Sequence, residues 1–122
     1  MYAIDVHGHY GNHAPKGRTG LEAEMRSASI EEVRARAQQV DIRLTVVSPL
    51  QSFHPYGGDV IRANEDAREK ADRYDDIRFW AVLDPCRGLT YKQVEELLSH
   101  ERCKGIKIHP VNPVSYTHLR AH

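Results

Sequence analysis

Four short apolar runs alternate with amphipathic helical patterns, which predicts an α/β fold of the form (βα)3β. No Gly-rich phosphate loop follows the first run, as a dinucleotide-binding sheet would require. Polar, His-bearing segments follow the ends of several runs, where barrel enzymes keep their chemistry. Together these observations select the N-terminal half of a (β/α)8 TIM barrel over a doubly wound sheet.

The first strand is expected over Tyr2-Ala3-Ile4-Asp5-Val6, which is short and partly β-branched. Residues 8–26 are rich in Gly and read as a long loop, with a short helix near residues 21–25. Ser29-Ile30-Glu31-Glu32 has the form of a capping box, and Ile30, Val33, Ala37 and Val40 then share one helical face. Leu44-Thr45-Val46-Val47 is the second strand, stopped by Ser48-Pro49 and followed by a turn-rich loop over residues 51–58. Residues 59–74 form the second helix, with Val60, Ala63, Ala67, Ala71 and Tyr74 on its apolar face. The third strand covers residues 77–83. The third helix starts at Thr90, with Gln93 completing a second capping box. Gly105-Ile106-Lys107-Ile108 is the fourth strand, stopped by His109-Pro110.

Composition limits the function classes. The chain has 122 residues, 40% hydrophobic and 28% charged, the profile of a globular protein in water. A formal net charge of zero provides neither the basic surplus of a nucleic-acid binder nor an acidic tail. No apolar run approaches the roughly 18 residues that cross a bilayer. No signal peptide precedes the first strand, so a cytoplasmic location is expected, with Cys86 and Cys103 reduced. The expected partner is a small-molecule substrate rather than nucleic acid or membrane, and a homo-oligomer is compatible with the sequence.

The chemistry concentrates in Asp5-Val6-His7-Gly8-His9 at the end of the first strand. Residues two apart on an extended segment point to the same side, so His7 and His9 can present two imidazoles to one point, with Asp5 on that side by the same parity. Neutral imidazole is a good ligand for zinc and similar divalent metals. Gly8 lets the backbone pass close to such a site. An HxH elsewhere in a chain is more often a pair of surface or core histidines; here its place at a strand end, after an Asp and before a long loop, favours ligation. Lys107 and His109 alternate with Ile106 and Ile108 and so share one side of the fourth strand. A Lys there suits a substrate anion, and His109 either contacts substrate or caps the strand. His13 and His54 fall in loops and read as solvent-exposed. His100 ends a helix, where a partly protonated imidazole favours the dipole.

Three segments carry a family resemblance: Ile4-Asp5-Val6-His7-Gly8-His9-Tyr10-Gly11, Arg78-Phe79-Trp80-Ala81-Val82-Leu83-Asp84-Pro85, and Cys103-Lys104-Gly105-Ile106-Lys107-Ile108-His109-Pro110, with Ala63-Asn64-Glu65 in support. In that order they resemble the amidohydrolase-related family, the branch of the amidohydrolase superfamily that includes aromatic-acid decarboxylases and small hydrolases. The resemblance spans residues 2–110. It implies a distorted eight-stranded barrel with one or two divalent metals, zinc being expected, and matches His7 and His9 to the first two ligands. The family's further ligands are histidines on the fifth and sixth strands and an aspartate on the eighth, so the catalytic Asp lies beyond this chain. That aspartate usually acts as base toward a metal-bound water. Lys107 also matches a strand-four position that is carbamylated in some superfamily members.

Residues 114–122 have no helical or strand period and resemble a translated transposase mosaic-end adapter. The bases GTC TCT TAT ACA CAT CTC CGA GCC CAC encode them in order. The expected organisation is therefore a partial barrel domain over residues 1–113 and a non-native tail over residues 114–122, whose His118 and His122 are not ligands. The expected function is metal-dependent hydrolysis of an amide, lactone or ester. The alternatives are non-oxidative decarboxylation on the same scaffold and a truncated, non-enzymatic product. A metal-dependent phosphoesterase also begins with DxHxH, but no strand here carries a metal-binding Glu. The chain alone is expected to be marginally stable, prone to associate and inactive.

Overall fold

The structure is a computed structural model that describes residues 1–12, 20–21, 27–53 and 58–109. The expected short helix over residues 21–25, the loop histidines His13 and His54, and the 114–122 tail lie wholly or almost wholly outside these residues. The described elements run β1 (Ala3–Tyr10), α1 (Ile30–Gln39), β2 (Ile42–Pro49), a 3-10 turn (Leu50–Ser52), α2 (Val60–Arg73), β3 (Ile77–Val82), α3 (Gly88–Leu98) and β4 (Cys103–Lys107). The strands form one parallel sheet in the order β1-β2-β3-β4. The (βα)3β alternation read from apolar periodicity is the observed one.

All three helices lie on one face of this sheet. Ile30 of α1, Ala67 and Ala71 of α2, and Val94 and Leu97 of α3 share a single core with Tyr10, Val47, Ile77, Phe79 and Ala81 of the strands. The small residues of α2 let its backbone approach the sheet closely. Trp80 alternates with Phe79 and Ala81 and so stands on the opposite, open face. Its indole N–H donates to the Val6 carbonyl at 2.9 Å, spanning β2 to reach β1. Tyr10 anchors the end of β1 to α2, its phenol donating to Asp66 Oδ2 at 2.6 Å. Burial and the Asp66 carboxylate hold its proton far above the usual phenol range.

The capping box of α1 is present. Ser29 Oγ accepts from the Glu32 amide at 3.2 Å, and Glu32 Oε2 accepts from the Ser29 amide at 2.7 Å. Ser29→Ala should cost about 1 kcal/mol, read as a lower urea midpoint with an unchanged slope. Asp59 caps α2 by accepting from the Ile61 amide at 3.0 Å. The second expected capping box does not form. α3 starts at Gly88, before Thr90, with Arg87 at its N-cap and no side-chain cap bond. Thr90 is instead buried within the first turn, its hydroxyl 2.8 Å from the Asp84 carbonyl and 2.7 Å from that of Arg87. Gln93 turns inward to Asn64 at 2.9 Å.

His100 also makes a contact to a second helix that the sequence did not indicate. It follows the end of α3, and its Nδ1 accepts the Arg102 amide at 3.1 Å. Its hydrogen therefore sits on Nε2, donated to Asp72 of α2 at 2.8 Å. Arg102 beside it closes the C-terminus of α2 by donating to the carbonyls of Ala71 at 2.6 Å and Tyr74 at 3.1 Å.

Candidate metal centre

β1 runs four residues past its expected end, so the HxH lies inside the strand rather than after it. Its register against β2 shifts twice, between Ala3 and Ile4 and again before the histidines, where Asp5 faces Thr45 but Gly8 faces Val47. Three steps on β1 match two on β2, which is a β-bulge. The bulge breaks the alternation from which Asp5 was expected to share a side with the histidines. Asp5 instead pairs with buried Thr45, and it borders, with His7 and His9, a cleft that α1 closes through Val33, Arg36 and Val40. It holds the bulge by accepting the His7 amide at 2.9 Å.

Gly8 is required by space. A Cβ there would sit 2.5 Å from Thr45 Cγ2 and 3.3 Å from Val47 Cγ1. Both neighbours are buried β-branched side chains with restricted rotamers. Gly8→Ala is expected to destabilise by about 1–3 kcal/mol through overpacking, and the double variant Gly8→Ala/Thr45→Ser should recover part of that loss in a urea titration.

The four site residues read from the sequence come together at the C-terminal end of the strands. The rings of His7 and His9 meet edge to face with centroids 4.9 Å apart. The His9 ring also meets Phe53 at 5.6 Å, and Phe53 meets His109 at 4.7 Å. Lys107 reaches over from β4, with Nζ 5.6 Å from the Phe53 centroid and donating to Ser48 Oγ at 3.2 Å. Lys107 gets there because β4 also carries a bulge. Phe79 pairs with Cys103, but Ala81 pairs with Ile106, the extra residue being taken up at Gly105 with φ +142°. Cys103 therefore packs on the helix side and Lys107 on the open side.

Ser48 is the residue that organises the cluster, and sequence reasoning took it only as a strand stop. It is fully buried on β2, opposite His9. Its carbonyl lies 3.0 Å from His9 Nδ1, and its hydroxyl 3.2 Å. A carbonyl only accepts, so His9 Nδ1 carries the hydrogen and Nε2 keeps its lone pair. This is how metal-ligating histidines are commonly oriented by a neighbour outside the metal shell. Burial lowers the His9 pKa below the usual imidazole value; the Ser48 bond opposes this, and Lys107, His7 and His109 add to the lowering. Burial, with Lys107 and His7, lowers His109 as well. His9 and His109 are thus held toward the neutral form that can ligate. Burial likewise lowers Lys107.

The donor set is two imidazoles. Among the described residues no group of three or more His, Cys, Asp or Glu side chains is arranged to hold a metal ion. A cleft of about 570 Å³ among the described residues lies elsewhere along α2, where Asp59, Glu65, Asp66 and Glu69 make it acidic. No helix among the described residues is long and apolar enough to cross a membrane. Comparison with protein-family models, with curated proteins and with solved structures finds no match.

Proposed function

We propose that this chain is the first half of a (β/α)8 barrel from a metal-dependent hydrolase of the amidohydrolase superfamily, with His7 and His9 as two ligands of a divalent metal, zinc by the character of its donors. The observation that carries the reading is the fixed tautomer of His9. Its Nδ1–H is committed to Ser48, and its Nε2 lone pair is left beside the His7 ring. The sheet supports it. Consecutive strand order with every helix on one face is the winding of a barrel, whereas a doubly wound sheet carries helices on both faces. Placement at the C-terminal strand ends is where barrels keep their sites.

When bound, such a metal lowers the pKa of a coordinated water and polarises a substrate carbonyl. The residues of this chain do the rest of the work seen here. Ser48 orients His9, Phe53 keeps water from one flank of the pair, and Lys107 and His109 border the space where substrate would lie. Two imidazoles alone hold zinc weakly, and the remaining ligands and the aspartate base belong to later strands of the whole barrel. Zinc competition against a chromophoric chelator tests the assignment. Wild-type chain should bind measurably, and His7→Ala and His9→Ala should each lose about tenfold or more. Equal binding in wild type and the double variant would sink it.

A further inference from the structure

We infer that Trp80 is a positioning residue of the His7–His9 pair, acting through the backbone of β1. The Val6 carbonyl and the His7 N–H are the two ends of one peptide group. Trp80 Nε1 donates to that carbonyl at 2.9 Å, and Asp5 Oδ1 accepts that N–H at 2.9 Å. The peptide lies in the register shift between Asp5 and Gly8, where Val6 and His7 have no facing partner on β2. A bulge loosens the ladder and re-aims the side chain it carries, so something else must set the tilt of the peptide. Held at both ends, the plane is fixed, and with it the direction in which the His7 side chain leaves the strand. The His7 ring then stands 4.9 Å from that of His9.

Trp80 is itself braced from the other side. Its neighbours Phe79 and Ala81 face Cys103 and Ile106 across the bulge of β4. A Cβ on Gly105, in that bulge, would meet Trp80 Cζ3 at 3.1 Å and Cε3 at 3.6 Å. The six-membered ring therefore lies against the Gly105 backbone of β4, while the pyrrole N–H reaches β1. One side chain thus spans the open face between two bulges, the one that presents His7 and the one that turns Lys107 to that face. The bond to Val6 is exposed to water, so it adds little to stability, and what it supplies is aim. Groups outside the metal shell govern affinity in this way, through the ligands they orient. The role rests on the proposed metal site, since it concerns what orients one of the two ligands.

Trp80 is the single tryptophan of the chain, so biosynthetic replacement of tryptophan by benzothienylalanine changes this position alone. Sulfur then stands where the N–H was, and the ring keeps its shape. The substituted full chain should melt within a few degrees of wild type and bind zinc about tenfold more weakly. In nitrogen NMR of the imidazoles, the zinc shift of His9 Nε2 should persist and that of His7 Nε2 should fall away. Without metal, the cross-relaxation between the His7 and His9 ring protons should be clear in wild type and several-fold weaker in the substituted chain. Asp5→Ala, which frees the other end of the same peptide, should give a similar zinc loss and add little to the first change. Asp5→Asn, which keeps the accepting oxygen, should bind zinc within about twofold of wild type. Unchanged zinc affinity with an intact His7–His9 contact would overturn the role. So would a loss shared equally by both rings with a much lower melting temperature, the result for a tryptophan that only packs. Zinc binding at both rings in wild type, unaltered by the sulfur ring, leaves the metal reading standing and removes Trp80 from it. No zinc binding at these rings in wild type removes the metal reading and this role with it.

Discussion

Asn64→Leu should unfold much of the population, with an expected loss of about 3–5 kcal/mol in a urea titration. Asn64 is fully buried on α2. Its amide donates to the Val82 carbonyl at 2.9 Å, and its Oδ1 accepts the Val82 amide at 2.9 Å. The β2–β3 pairing ends at Val47 and Phe79, so Asn64 takes the place of a strand neighbour beyond it. Its second N–H reaches Gln93 Oε1 at 2.9 Å, and Gln93 in turn donates to the Ile61 carbonyl at 2.8 Å. Leucine has nearly the same volume, so the loss is in hydrogen bonds: both backbone groups of Val82 and the Gln93 oxygen stay buried without partners. The damage would reach the site. Val82 packs on Phe53, which lies against His9 and His109. A loss under about 1 kcal/mol would mean that water or a shifted backbone replaces Asn64.

Phe79→Ala is expected to cost as much, about 3–5 kcal/mol, by a different route. Phe79 is fully buried at the centre of the helix-side core and meets the His100 ring at 5.6 Å. Truncation leaves a cavity between β3 and the helices that rigid strands cannot close. Phe79→Leu, which keeps most of the volume, should cost about 1 kcal/mol. Against a total stability of about 5–15 kcal/mol for a domain, the alanine variant should melt at a clearly lower temperature by circular dichroism. Similar losses for Ala and Leu would show that shape rather than volume governs this position.

The two variants mark the boundary between what the sequence showed and what it hid. Apolar periodicity was sufficient for the order of elements and for most core residues, since it records which face each segment buries. The Asn64 role was partly visible: it lies four residues after Val60 and three before Ala67, on the buried stripe of α2, where an amide needs partners. Which partners it finds depends on where β2 stops, and that is a tertiary fact. The histidines, Lys107 and His109 were legible because they punctuate strand ends. Asp5 was misplaced because parity counting assumes an unbroken pleat, and the bulges at Gly8 and Gly105 break it. A glycine inside each strand was the available sign. Ser48 left no local signal, because its function comes from pairing β2 against β1.

The most direct test of the metal assignment is long-range nitrogen NMR of the imidazole rings during a zinc titration. With eight histidines in the chain, an affinity alone does not say which rings bind. The account predicts that His9 carries its hydrogen on Nδ1 before zinc is added and keeps it there afterwards, while the Nε2 resonances of His7 and His9 shift together. Zinc shifts confined to other histidines, or a His9 ring protonated on Nε2, would contradict it.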